Sequence, residues 1–181
     1  NGCLLRGFSS APDIPQMGDQ YHIKPVAVAT YPMYRGLAKL AGMSVVEAGE
    51  TPEQLFDTVG KLWEDYDFFF IHIKYTDSRG EDGDFEGKRK VIEQIDAILP
   101  KLLTLSPDVL VVAGDHSTPS VMASHSWHPV PFMIFSPFAR RGGSRAFGEN
   151  ECRIGAAGRI PGRNLVGLML AHGGRLEKYG A

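Results

Sequence analysis

Asp115 and His116 stand side by side in this chain, and two further histidines, His125 and His128, follow in the same loop. An adjacent carboxylate and imidazole can offer an oxygen and a nitrogen to one divalent ion, and nearby histidines can complete or share such a site. The pair comes directly after an apolar, β-branched run over residues 108–113 and Gly114, and a second apolar run covers 130–135. Buried strands of α/β proteins end this way, and ligands collect beyond their carboxyl ends. One histidine in such a loop reads most simply as a surface residue, with Asp115 capping the loop. The set, between two apolar runs, points instead to a metal site. A second chemical element supports it. Asp77 follows the run 67–74 (DFFFIHIK) and opens an acidic loop over 76–84. It succeeds a strand just as Asp115 does, so both carboxylates are expected at the same edge of one sheet, within reach of a shared pair of cations. Asp82 and Asp84 read as solvated turn residues, because Asp and Gly favour turns.

The elements that must position these groups alternate. Strand patterns are expected at 25–30 and 43–46, besides the runs already named. Helices are expected at 34–41, stopped by Gly42, and at 51–65, where Thr51-Pro52-Glu53 makes a strong start. A helix over 85–99 follows from Val91, Ile92, Ile95 and Ile98, spaced three or four apart, with Pro100 as an interruption. The segment 1–18 reads as a short apolar start and a loop, 140–159 as irregular, and 165–171 as a final helix. The pattern predicts an α/β layer structure around a largely parallel sheet, folded as a single domain over 1–181.

Composition narrows the class. The 181 residues are 43% hydrophobic and 22% charged, which suits a soluble globular domain. A net charge of −2 leaves no basic footprint for nucleic acid or an anionic membrane. Cys3 and Cys152 form no CxxC pair. No apolar run approaches the roughly 20 residues that span a bilayer, and no signal peptide is visible, so the expected location is the cytoplasm.

Taken together, HIKYTDSRGEDGDFEGK followed by GDHSTPSVMASHSWHPVPFMIFSPF resembles the C-terminal half of the archaeal-type cofactor-independent phosphoglycerate mutases, members of the alkaline phosphatase superfamily. LLRGFSSAPDIP, YPMYRGLAKLAGM and the closing EKYGA extend the resemblance over nearly the whole chain. It implies a three-layer sandwich with a phosphatase-like core, two divalent metals (Mn²⁺ first, Mg²⁺ or Zn²⁺ as alternatives), and a phosphoglycerate substrate. It also implies a serine that is transiently phosphorylated while phosphate moves between the hydroxyls of glycerate. By position, Asp115 and His116 match ligands of one metal, and Asp77 and His125 match ligands of the other. The family usually has a His four residues after the Asp that matches Asp77. Here that residue is Glu81, which either coordinates through oxygen where nitrogen is expected, favouring a harder ion, or leaves the site weakened or reassigned. His128 would be an outer neighbour of the site.

Phosphoryl transfer further calls for cations that orient an anionic substrate. Arg6, Arg35, Lys74 and Arg79 are candidates, with Lys74 and Arg79 beside the Asp77 loop the better placed. The family's nucleophilic serine and an Asp ligand near it come from a part of the chain that this sequence does not contain, and the sequence opens on Asn1. The expectation is therefore a C-terminal portion of a larger mutase, inactive alone. A different metal-dependent phosphatase or phosphomutase, or a silent binding module on the same fold, are the other readings.

Overall fold

The computed structural model describes residues 10, 12–140 and 142–176. The apolar start at Cys3, the candidate Arg6 and the closing EKYGA lie outside the described residues. The chain divides into two compact units, Asn1–Lys74 and Tyr75–Ala181.

In the first unit a short helix, α1 (Met17–Tyr21), precedes strand β1 (Pro25–Ala29). Helix α2 (Pro32–Leu40) then leads to β2 (Ser44–Val46), and helix α3 (Pro52–Lys61) leads to β3 (Phe68–His72). The strands form a parallel sheet in the order β2-β1-β3, with Val26 opposite both Ser44 and Phe69. Every residue of β1 is buried. A central parallel strand covered on both faces has no use for polar alternation, which is why PVAVA lacks it. The fold is α/β with a parallel sheet, as expected. Ala27, Ala38 and Met43 are the buried centre of a cluster that Met17, Val45, Phe68 and Phe70 complete.

The start of α3 follows its sequence. The Thr51 hydroxyl accepts from the Gln54 N–H at 3.3 Å, and the Gln54 carbonyl oxygen of the side chain accepts from the Thr51 N–H at 3.1 Å. This reciprocal pair satisfies donors that a helix N-terminus would leave orphaned. Leu55, Phe56 and Val59 then face the core. The helix expected to reach Asp65 ends at Lys61, and a tighter 3₁₀ turn follows at Trp63–Asp65. Helix α1, which begins at the end of the segment 1–18 read as loop and runs past it, is an addition to the expected elements.

The second unit departs more from expectation. The acidic loop over 76–84 is a helix, α4 (Tyr75–Glu81), joined through Gly83 to helix α5 (Phe85–Ile98). Gly83 has φ +71°, a conformation that suits glycine, and Asp84 caps α5 by accepting from the Gly87 N–H at 2.9 Å. Only Asp82–Asp84 thus behaves as the turn that the whole segment resembled. Pro100, lacking an N–H, breaks the ladder into α5 and a short α6 (Pro100–Leu103). Strands β4 (Leu110–Ala113) and β5 (Phe132–Phe135) follow, then α7 (Glu149–Cys152) within a segment read as irregular, and α8 (Leu165–His172).

β4 and β5 are the two apolar runs that flank the histidine loop, and they correct the expectation of parallel, buried strands. They pair antiparallel, Leu110 with Phe135 and Ala113 with Phe132, and neither is fully buried. A parallel return requires a crossover long enough to carry the chain back, usually a helix. Residues 114–131 contain none, so the chain returns in the opposite direction. Among the described residues no helix is long and apolar enough to cross a membrane.

Leu55 is only 1% exposed. Leu55→Ala should lower unfolding free energy by about 2–5 kcal/mol, the usual cost of such a cavity. Ile92→Ala, at a position 50% exposed, should cost far less in the same urea titration.

Candidate metal centre

α4 carries Asp77 and Glu81 one helical turn apart, hence on one face. The Asp77 side chain is 13% exposed and Glu81 is 49% exposed. The loop after β4 supplies the nitrogens. It closes on itself through an antiparallel bridge, in which the Ser126 N–H donates to the Ser117 carbonyl at 2.8 Å. That closure brings the rings of His116 and His125 to 4.1 Å between centres.

Helix and loop meet at Thr118, which is 2% exposed. Its hydroxyl donates to Asp77 Oδ1 at 2.5 Å and lies 3.1 Å from His116 Nδ1. Its carbonyl accepts from Lys88 Nζ at 2.6 Å. α4 can come this close because residue 80 is glycine. A Cβ there would stand 2.4 Å from the Thr118 carbonyl oxygen.

Two donor groups result. His125 Nε2 stands 3.6 Å from Asp77 Oδ1 and 3.5 Å from Glu81 Oε1. His116 Nε2 stands 3.5 Å from Asp115 Oδ2, and its Nδ1 is 3.8 Å from Asp77 Oδ1. Ligands about 2.1 Å from a tetrahedral ion lie roughly 3.4 Å apart, so the separations within each group suit one cation. One ligand atom each from Asp77, His116 and His125 also falls within 4.8 Å of the others. These three could therefore share a single cation as well. Asp77, Asp115, His116 and His125 do come together, but not at one edge of one sheet as expected: β3 and β4 belong to different sheets, and helix α4 presents Asp77 to the histidine loop.

The remaining candidates have partners of their own. Lys74 belongs to the first unit, where its ammonium sits 5.2 Å from the centre of the Tyr31 ring. Arg79 Nη1 is 3.5 Å from Asp84 Oδ2. Arg35 makes a bidentate pair with Glu47, whose hydrogen bond raises the guanidinium above its ordinary value and is itself the main cause of the lowered Glu47 carboxyl. The His128 ring stacks on Trp127, and its Nδ1 lies 2.9 Å from Ser126 Oγ. Thr118, Gly80 and Lys88 are absent from the residues that the sequence nominates. Nothing in their types marks them, since Thr-Pro reads as a turn and a glycine in an acidic stretch as a breaker.

Gly80→Ala should force α4 and the loop apart and cost about 1–3 kcal/mol, as overpacking does. Gly36→Ala in α2, where an added Cβ meets nothing within 4 Å, should stabilise by about 0.5–1 kcal/mol. Chemical denaturation of both variants checks the contrast.

The fold has close counterparts. A protein of Thermosipho africanus named "Probable 2,3-bisphosphoglycerate-independent phosphoglycerate mutase" is 61% identical over 181 residues. One of the same name from Thermus thermophilus is 47% identical over 184 residues. Each alignment takes in 100% of this chain and 45% of the relative, so the chain spans about half the length of the curated relatives it matches. A solved structure from Pyrococcus horikoshii superposes with a TM-score of 0.87 at 30% identity, over 92% of this chain and 46% of that one. A cofactor-independent phosphoglycerate mutase from Thermoplasma acidophilum shares the fold, with a TM-score of 0.70 at 23% identity over 88% of this chain and 39% of its own. The family model described as "Metalloenzyme superfamily" matches residues 3–172, and the chain belongs to that superfamily.

Proposed function

We propose that this chain supplies the metal-binding portion of a 2,3-bisphosphoglycerate-independent phosphoglycerate mutase, which interconverts 3-phosphoglycerate and 2-phosphoglycerate. The observation that carries the reading is the convergence of Asp77, Glu81 and His125 beside Asp115 and His116, in a chain whose relatives bear that name. Both units belong, in this reading, to one phosphatase-like domain, which the family match across 3–172 supports. A cytoplasmic place in glycolysis goes with it.

Asp77, Glu81 and His125 would hold one divalent ion, and Asp115 and His116 would contribute to a second. When bound, such ions lower the pKa of a hydroxyl and neutralise the charge that develops in phosphoryl transfer. The chain's own part is to keep carboxylates and imidazoles converged before any substrate arrives. With Glu81 in place of a histidine, the first group has two oxygens and one nitrogen, which favours Mn²⁺ over Zn²⁺, with Mg²⁺ as the alternative hard ion. Lys74 and Arg79 remain the proposed contacts to the anionic substrate.

Ser117 and Ser136 are poor candidates for the phosphorylated nucleophile. The Ser117 backbone is committed to the bridge with Ser126, and Ser136 is buried with its hydroxyl 3.1 Å from His172 Nδ1. The nucleophile is proposed to come from outside this stretch. Assayed alone with Mn²⁺ and 3-phosphoglycerate, the 181-residue chain should turn over far below about 1 s⁻¹, the low end of ordinary enzymes. A rate at or above that value would show that a nucleophile within it has been missed. A second outcome concerns metal choice. Glu81→His in the whole mutase should retain activity and shift preference towards Zn²⁺, and an unchanged metal profile would remove Glu81 from the ligand set.

A further inference from the structure

We infer that Thr118 is the positioning residue that ties the two donor groups together, with Lys88 as its anchor; this rests on the metal-site reading above. A threonine hydroxyl has one proton to give. Here it is directed at Asp77 Oδ1, 2.5 Å away. The contact at 3.1 Å to His116 Nδ1 must then run the other way, with the imidazole N–H donating to the Thr118 oxygen. That assignment leaves the lone pair of His116 on Nε2, the nitrogen 3.5 Å from Asp115 Oδ2. The same hydroxyl therefore orients the Asp77 carboxylate in one group and selects the ligating nitrogen of His116 in the other. Ligand histidines are commonly held through their second nitrogen in this manner, and loss of such an outer partner typically weakens metal binding about 10–100-fold.

Thr118 can do this because it is itself held from two sides. It is 2% exposed, and Lys88 from α5 holds its carbonyl at 2.6 Å while the bare backbone of Gly80 lies against it. The anchor is a separate residue from the ligands, so the arrangement can be tested from both ends.

The test is Mn²⁺ and Co²⁺ titration of the purified chain by calorimetry and by the visible absorption of bound Co²⁺. Thr118→Val keeps the shape and deletes the hydroxyl. It should weaken Mn²⁺ binding about 10–100-fold and change the Co²⁺ spectrum, beyond what any loss in the unfolding midpoint of the metal-free chain accounts for. Thr118→Ser should restore both affinity and spectrum. Lys88→Met, which removes the anchor alone, should shift affinity in the same direction by a smaller factor, and it serves if Thr118→Val folds poorly. Parent-like affinity in Thr118→Val, or weakened binding in Thr118→Ser as well, would overturn the assignment. Asp77→Asn separates the two levels of inference. If it abolishes binding while Thr118→Val does not, only the role of Thr118 falls; if the parent chain binds neither ion, the metal reading falls and takes this one with it.

Discussion

The candidate site depends on one close approach, the backbone of Gly80 against the carbonyl of Thr118. A Cβ at residue 80 would come within 2.4 Å of that oxygen. Everything chemical in the second unit follows from what this contact allows. It lets α4 lie against the histidine loop, which places Asp77 inside hydrogen-bond reach of Thr118 and brings Glu81, one turn on, near His125. A helix is the right device here. Residues four apart on it share a face at fixed spacing, whereas a glycine-rich loop would have to lose considerable backbone freedom to hold two carboxylates in register.

Many of these elements are legible in the amino-acid pattern alone. PVAVA and DFFFIHIK mark their strands, because buried parallel strands need continuous apolar residues. α3 shows in its Thr-Pro-Glu start, and the candidate ligands show as Asp and His next to strand ends. Local composition is what misleads. Asp77 to Asp84 is dense in turn-forming residues, yet Tyr75–Glu81 is helical, since tertiary packing through Gly80 outweighs a weak intrinsic preference. The direction of β5 is likewise hidden. Alternation and β-branching report that a strand exists, while its orientation depends on what the connection can span.

Thr118 shows a different limit. Metal ligands come from a short menu of residue types, so a sequence can nominate them. Residues that hold ligands in place are drawn from a wider set and act through geometry alone. A threonine before a proline has an ordinary reading as a turn, and only the distances to Asp77 and His116 reveal another. Lys88 is similar, since on α5 it reads as one more solvated cation beside Arg89 and Lys90.

Charge explains why such holding is required. Asp77, Glu81 and Asp115 gather three carboxylates in a small volume, with the imidazoles of His116 and His125 among them. Like charges at this range resist closer approach, and burial of Asp77 adds a desolvation cost unless its oxygens are hydrogen-bonded. The Thr118 hydroxyl meets part of that need at Asp77 Oδ1. The remainder is what a divalent cation would satisfy. In the proposed site Glu81 would bring a negative charge as well as an oxygen, where a histidine would bring a neutral nitrogen, so Asp77 and Glu81 together would match the charge of one divalent ion.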